Sequence, residues 1–370
     1  MYLDRLNVLN YRNYQEAGLD LCPRLNCFIG DNAMGKTNLL DAIHYLSFCK
    51  SFSHPLDSQN IRHGEEMFII KGIFIVDGKE EAVFCGVKRN QKKQFKLNNK
   101  EYQRLADHIG RFPLVIISPD DSELVKDGSD IRRRFMDTVI SQFDNAYLNS
   151  LITYNQVLKQ RNTLLKQFNE KRSFNAESLR IWDEQMIAPS QEIFEKRKKF
   201  IARIAPFFNE YYRTISGSRE SVGLQYESHL HDSNISDLLA QSLGKDRVLE
   251  YTTKGVHKDE LVFKVSDFPV KKFGSQGQQK SYIIALKLAE FEVIRQEKGF
   301  CPMLLLDDIF DKLDETRVMN LLSLVAGHDF GQIFITDTGS GRFSDIFKAT
   351  GWEYSLFSIN SGQIISTEKL

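Results

Sequence analysis

The sequence predicts an α/β fold with a mixed sheet, interrupted by an inserted, mainly helical lobe. Three observations predict it. Strand-like segments, some alternating and some wholly apolar, gather at the two ends of the chain. Residues from about 130 to 245 carry helical patterning instead. Strands alternating with helices return near Leu261, which implies a partly parallel sheet assembled from two separated parts of the chain. Lobe I accordingly spans 1–120 and 250–370, and lobe II spans 121–249.

Residues 2–9 alternate polar and apolar side chains and read as a strand, and 25–29 (LNCFI) as another. A Gly-containing loop follows. NLLDAIHYLSF (38–48) then has helical periodicity through Leu39, Ile43 and Leu46. FIIKGIFIV (68–76) and AVFCGVK (82–88) form a hairpin around Asp77-Gly78, with a further turn at Asn98-Asn99. LVII (114–117) is a compact apolar strand stopped by Ser118-Pro119.

The inserted lobe carries a helical run through Tyr154, Leu158, Arg161 and Leu165, another around Leu179–Met186 and a third over 190–211. Beyond it come a strand at 261–265 (LVFKV) and a helix at 277–298 with Ile284, Leu288 and Phe291 on one face. An apolar strand at 303–306 (MLLL), a helix at 315–327 and a buried strand at 332–336 (QIFIT) complete the pattern.

Bulk composition narrows the class. The 370 residues allow two or three domains, and 42% apolar content with 27 Phe supports a real core. Lys plus Arg and Asp plus Glu both number 49, so any nucleic-acid partner must be held by local patches, not a global field. The five cysteines, Cys22, Cys27, Cys49, Cys85 and Cys301, are scattered and read as buried free thiols. No leader or membrane-length apolar run is present, so a cytosolic protein is expected.

GDNAMGKT, from Gly30 to Thr37, matches the Gly-x-x-x-x-Gly-Lys-Thr phosphate loop in full, between a strand and a helix. Gly30 and Gly35 let the backbone wrap closely around phosphate oxygens, with Asp31, Asn32, Ala33 and Met34 completing the turn. Lys36 is suited to the terminal phosphates and Thr37 to Mg²⁺. The helix from Asn38 adds its positive end. The expected cofactors are ATP and Mg²⁺.

A metal partner belongs at the end of a buried strand, and MLLLDD supplies it. Asp307 is assigned to the metal and Asp308 to the attacking water. Asp308 reaches one methylene less far than Glu, so slow, switch-like ATP hydrolysis is expected.

FGSQGQQK, from Phe273 to Lys280, is a second turn suited to phosphate. Taken alone, Ser275 before a helix favours a plain N-terminal cap. With GDNAMGKT upstream and MLLLDDIFDKLDETR downstream, the Ser275-Gln276-Gly277-Gln278-Gln279 run resembles an ABC-type signature motif. The chain as a whole then resembles the RecF family of bacterial DNA replication and repair ATPases. The opening YLDRLNVLNYRNY, SPDDSELVKDGSDIRRRFMD (118–137), YNQVLKQRNTLLK (154–166), LRIWDEQM (179–186) and GVHKD (255–259) all fit that resemblance.

The resemblance implies an ABC/SMC-like ATPase head as lobe I and a short helical lobe II. It implies an ATP-induced homodimer in which the signature turn of one subunit completes the phosphate loop of the other. Asp311, in DKLD, would belong to the loop that crosses this interface. It further implies binding to double-stranded DNA and to single-strand/double-strand junctions, RecO and RecR as partners, recombinase loading, an SOS-response context and a cytoplasmic, nucleoid-associated location. The other reading is an SMC-like ATPase switch serving a non-repair partner protein.

The sequence also departs from related patterns. No switch histidine follows QIFI; Thr336, Asp337 and Thr338 stand there, with Thr336 or Thr338 favoured as the phosphate sensor because Asp337 would repel phosphate. Lys50 and Ser53 replace arginines. Ser118–Asp121 stands where a transporter-like Q-loop would be sought. Three basic groups, Lys88, Arg89, Lys92, Lys93 and Lys96; Arg132–Arg134; and Arg197–Lys199 with Lys196 beside them, each read alone as a solvated face, and would hold a DNA backbone if dimerisation aligned them into one groove.

Overall fold

The computed structural model describes residues 1–217, 221–266, 268–309, 315–327, 330–339 and 353–369. The chain divides into two compact units, Met1–Asp121 with Leu286–Leu370, and Ser122–Ala285.

In the first unit, β1 (Tyr2–Tyr11) and β2 (Tyr14–Asp20) form a hairpin. The β1 alternation buries Leu3, Leu6, Val8 and Tyr11, and a bulge between Leu3 and Arg5 restores its phase. β4 (Met67–Val76), β5 (Lys79–Lys88), β6 (Gln94–Leu97) and β7 (Lys100–Glu101) extend this into an antiparallel sheet of order β2-β1-β4-β5-β6-β7. Asp77 and Gly78 both have positive φ, 51° and 76°, as a two-residue hairpin turn requires.

The second sheet has order β15-β14-β3-β13-β12-β8. Its strands are β3 (Leu25–Ile29), β8 (Leu114–Ile117), β12 (Met303–Asp307), β13 (Ile333–Asp337), β14 (Tyr354–Asn360) and β15 (Gln363–Lys369). It is parallel from β14 to β8, and β15 alone runs antiparallel. The apolar runs Met303–Leu306 of β12 and Ile333–Ile335 of β13 are buried on both faces, which is why they do not alternate.

α1 (Lys36–Phe48) touches strands of both sheets and is buried nearly all round. Leu39, Leu40, Ile43, Tyr45 and Leu46 join the two sheets in one core, each contributing about 1.5–3 kcal/mol on burial. Gln332 stitches distant parts of this unit together. Its side chain accepts from Leu3 N at 2.7 Å and donates to Leu3 O at 2.7 Å and Cys22 O at 2.9 Å. α9 (Glu315–Gly327) belongs to the same unit.

The second unit contains α2 (Glu123–Lys126), α3 (Ser129–Phe143), α4 (Asn145–Glu170), α5 (Ala176–Ser216) and α6 (Ile235–Leu249). Asp144, Asn175 and Asn234 cap α4, α5 and α6 by accepting from Tyr147 N, Ser178 N and Asp237 N. A small sheet of order β11-β10-β9 joins them, with β9 (Val222–Glu227), β10 (Glu260–Val265) and β11 (Phe268–Pro269). α7 (Val270–Phe273) follows, and α8 (Gln276–Lys298) crosses from this unit to the first between Ala285 and Leu286.

Two buried arginines organise the unit. Arg161 reaches Asp183 at 2.6 Å, Asp246 at 2.8 Å and Thr252 at 2.9 Å. Arg197 reaches Asp137 at 2.8 Å, Asp259 at 2.7 Å and Val256 O at 2.8 Å.

The fold is the expected mixed-sheet head with an inserted helical lobe. The lobe boundary differs, because 250–285 groups with the second unit. β10 pairs with β9 along its length, and Asp259 and Glu260 are tied to Arg197 and Arg132. The helical runs at 179–186 and 190–211 are one helix, α5, despite Pro189 and Pro206 inside it. Cys22, Cys27, Cys49 and Cys85 are buried free thiols, and Cys301 is partly exposed. Among the described residues, no helix is long and apolar enough to cross a membrane.

Candidate nucleotide-binding site

The loop Gly30–Thr37 runs from the end of β3 into α1, in the strand–loop–helix setting its sequence requires. Two of its glycines are obligatory. Gly30 has φ 152°, and a Cβ there would stand 2.2 Å from Ile359 O. Gly35 has φ 116°, and a Cβ there would meet Asn13 Nδ2 at 2.6 Å and Asn13 Oδ1 at 2.8 Å.

The loop is held from outside by two hairpin turns. From the β1–β2 turn, Asn13 Nδ2 donates to Met34 O at 3.0 Å and Tyr14 Oη donates to Gly35 O at 3.1 Å. From the β14–β15 turn, Gly362 N donates to the same Met34 carbonyl at 2.9 Å. Asn38 Nδ2 donates to Asn13 Oδ1 at 2.7 Å.

Inside the loop, Lys36 Nζ donates to Gly30 O at 2.6 Å and Asp31 O at 2.8 Å. Burial pushes the Lys36 pKa down, opposed by Asp308, Asp307, Asp337 and Asp31. The Lys36 ammonium is the donor and the positive charge that phosphate oxygens would take.

The acidic pair sits across the pocket. Thr37 Oγ1 donates to the two Asp307 carboxylate oxygens at 2.9 and 3.0 Å. Thr336 Oγ1 donates to Asp307 Oδ1 at 2.7 Å and accepts from Asp308 N at 3.0 Å. Burial raises the Asp307 pKa, and the hydroxyls of Thr336 and Thr37 pull it back. Asp308 is exposed and has φ 47°, a left-handed conformation unusual for a residue with a side chain. One pocket is lined by Asn32, Ala33, Gly35, Lys36, Thr37, Asn38, Asp307, Asp308 and Thr336. Thr37 and Asp307 present hard oxygen donors side by side, a donor set that fits Mg²⁺.

Thr336 is fully buried, and its hydroxyl is engaged with both members of the acidic pair. Its hydroxyl thereby orients the Asp307 carboxylate and the Asp308 backbone. Thr338 is exposed, while Asp337 is buried with its Oδ2 unpartnered among the described residues.

The turn expected as a signature motif lies in the second unit. Ser275 Oγ accepts from Gln278 N at 3.2 Å, and Gln278 Oε1 accepts from Ser275 N at 2.6 Å. This reciprocal pair is a capping box at the start of α8. Ser275 and Gln276 are exposed, and Gly277 and Gln278 half-buried. Asp311 lies outside the described residues.

Sequence reasoning missed Arg12. Its guanidinium reaches Asp41 at 2.6 Å, Asn38 Oδ1 at 2.8 Å, Ser51 Oγ at 3.0 Å and Ser53 Oγ at 2.5 Å. The Arg12 fork thus ties the start of α1 to the Ser51–Ser53 segment. The signal was present in the opening YRNY. His257 is structural: its ring meets Tyr154 Oη at 2.6 Å and Thr252 O at 2.9 Å, and burial pushes its pKa down to about 4. Asp121 shapes its own loop by accepting from Ser118 N at 2.7 Å.

The chain matches the family model described as RecF/RecN/SMC N terminal domain over residues 2–353. A protein of Phocaeicola vulgatus described as DNA replication and repair protein RecF is 52% identical over 372 residues, covering 100% of both chains. The chain belongs to the RecF family. A RecF of Bacteroides fragilis is 50% identical across 100% of this chain and 99% of its own. A solved structure of the recombination mediator protein RecF-ATP in the RecFOR pathway is 30% identical to this RecF-family chain, with TM-score 0.88 over 100% of it and 97% of that chain. An Smc head domain derived from Pyrococcus furiosus shares the fold at TM-score 0.60 and 16% identity, covering 100% and 96%. The first unit of this RecF-family chain is therefore an ABC/SMC-like ATPase head.

Many basic residues expected on a DNA-facing surface are engaged internally. Lys93 Nζ donates to Cys49 O at 2.6 Å and pairs with Asp57 at 2.8 Å, closing the C-terminus of α1. Arg132 is paired with Glu260, Arg133 with Asp130, Lys196 with Asp144, and Arg197 is buried. Lys88, Arg89, Lys92, Arg134, Lys198 and Lys199 remain exposed.

Proposed function

We propose that this chain is an ATP-dependent DNA-binding switch in recombinational repair, acting at gapped or stalled DNA and supporting recombinase loading with RecO and RecR. The observation that carries the reading is the bridge Thr37–Asp307–Thr336–Asp308 set across the mouth of a complete phosphate loop. The 52% full-length identity to a DNA replication and repair protein supports the repair context.

In this reading Lys36 and the loop N–H groups bind and orient the ATP phosphates. Thr37 and Asp307 would hold Mg²⁺, which would supply positive charge to offset that of the phosphates. Asp308 would orient the attacking water and accept its proton as the water oxygen bonds to the γ-phosphorus and the bond to the β-phosphate oxygen breaks, releasing ADP and phosphate. Its short reach makes turnover slow. Ser275 and the α8 N-terminus, already shaped as an exposed capping box, complete the site of a second copy. Asp311 belongs to the same interface. ATP favours the DNA-clamping dimer, and hydrolysis releases it.

The test is dimer mass and duplex binding with ATP, ADP and no nucleotide, for wild type and Lys36→Met. ATP alone should promote both, and the substitution should abolish the promotion. Nucleotide-independent binding would remove the clamp. Mixing Lys36→Met with Ser275→Arg protein should recover ATPase activity in heterodimers; assembled but inactive heterodimers would exclude a shared site.

A second reading, an ATPase switch for a non-repair protein partner, draws on the internal pairing of Arg132, Arg133, Lys196 and Arg197. ATP-driven dimers without duplex affinity would favour it.

A further inference from the structure

Directly before the signature turn stands FPVKKF, Phe268–Phe273. Phe268 is 56% exposed and Phe273 65%. They are the most exposed aromatic side chains among the described residues, and their ring centroids lie 5.1 Å apart. Lys271 and Lys272, between them in sequence, are also exposed. No carboxylate interrupts Phe268–Phe273.

The knuckle is a built feature. β11 pairs with β10 through Lys264↔Pro269 and Val265↔Phe268. Val270 is fully buried and anchors α7. Gly274 N donates to Val270 O at 2.9 Å, and Gln279 Nε2 donates to Gly274 O at 2.9 Å. The rings are therefore held in water by a fixed backbone, so binding through them orders little chain.

We propose that this knuckle is a stacking site for unpaired bases of single-stranded DNA. Phe268 and Phe273 supply the stacking surface, and Lys271 and Lys272 the flanking phosphate contacts. Paired aromatics interleaved with lysines suit single strands, because every base offers a π-face and every linkage a phosphate. A continuous duplex offers no open base face to a ring. A second copy of the same knuckle would bring four lysines together, which disfavours self-pairing. The site rests on the DNA-binding reading and deepens it: it would recognise the unpaired side of a junction, with Phe273 two residues before the Ser275 capping box that opens α8.

The test uses the full-length protein with ATP and three labelled DNAs: a blunt duplex, the duplex with a single-stranded tail, and the same tail made abasic. Wild type should bind the tailed DNA more tightly than the abasic form. Phe268→Ala/Phe273→Ala should lose about five- to hundredfold on the tailed DNA only, falling to the abasic level. Phe273→Trp should restore most of that loss. Lys271→Gln/Lys272→Gln should weaken both tails and reduce the salt slope by about 1.4, two single-strand phosphates' worth.

Equal wild-type binding to base-containing and abasic tails would overturn the proposal, as would an alanine variant with unchanged tail binding. Loss of ATP-induced dimer mass with tail binding intact would assign the knuckle to a second copy instead. Should the double variant not fold, 2-aminopurine in the tail reads stacking on wild-type protein directly, and no quenching would refute it. Absence of binding to all three DNAs would remove the DNA-binding reading and the knuckle together; blunt-duplex binding without a base effect would remove the knuckle alone.

Discussion

Thr336→Val tests how the acidic pair is positioned. Valine keeps nearly the shape of threonine in a fully buried site but removes the hydroxyl. Two contacts disappear: the 2.7 Å bond to Asp307 and the 3.0 Å bond from Asp308 N. A hydrogen bond to a charged group contributes about 1.5–3 kcal/mol, and the bond lost by the part-buried Asp308 N–H about 0.5–1.5 kcal/mol. Asp308 also stands at φ 47°, a conformation that costs a side-chain-bearing residue about 1–2 kcal/mol. Without its anchor the backbone relaxes and carries the carboxylate away from the water it is proposed to orient.

Taking about 2–3 kcal/mol of lost positioning, turnover should fall about 30- to 150-fold. Lys36 and the loop N–H groups are untouched, so ATP affinity should change less than about fivefold. Thr336→Ser keeps the hydroxyl and should stay within about threefold of wild type. Phosphate release at saturating ATP, beside binding of a fluorescent ATP analogue, separates the two effects. A valine variant at wild-type turnover, or a serine variant as impaired as valine, would refute the reasoning.

Three further outcomes are expected. Gly35→Ala forces a Cβ to 2.6 Å from Asn13 Nδ2 at φ 116°, so nucleotide affinity should drop at least about tenfold in a titration. Arg197→Met leaves the buried Asp259 carboxylate unpaired and should lose about 3–5 kcal/mol in denaturant melts, whereas exposed Arg134→Met should stay within about 0.5 kcal/mol. Burial pushes His44, His108 and His257 down to about 4, so the unfolded chain binds their protons first. Their stability contribution is full above the unfolded value of about 6.5 and is lost as pH falls towards 4, at about 1.4 kcal/mol per pH unit each. Melting curves between pH 7 and pH 4.5 should show that slope, with His257→Asn reducing it.

The parts legible in sequence share a physical cause. GDNAMGKT is constrained atom by atom by phosphate geometry, and MLLL and QIFI are buried on both faces, so each pattern stands out locally. The β9 strand was not legible, because VGLQYE is half-buried and pairs with a partner across α6. The β14–β15 hairpin escaped for a similar reason: its turn acts on Met34 at the opposite end of the chain. Charge runs misled most. RRR at 132–134 and KRKK at 196–199 look alike in sequence as basic surface, yet Arg197 is buried between two carboxylates while Lys199 is exposed. Whether a cation faces water or closes a core depends on carboxylates such as Asp137 and Asp259, which only folding brings near.

The site also shows why its two halves, far apart in sequence, need no flexible loop to meet. β13 lies between β3 and β12 in the parallel sheet, with Thr336 opposite both Phe28 and Asp307 and Asp337 opposite Ile29. β3 delivers the phosphate loop and β12 the acidic pair. The strand between them supplies a contact to each: Asp337 O accepts from Gly30 N at 3.3 Å, and the next residue back, Thr336, holds Asp307 and Asp308. A one-residue slip of β13 would reverse the faces of both side chains and break both contacts together. The distance between loop and carboxylates is therefore set by strand register, and register is set by the apolar burial of Ile333, Phe334 and Ile335. Core packing in this sheet is what fixes the geometry of the proposed hydrolysis.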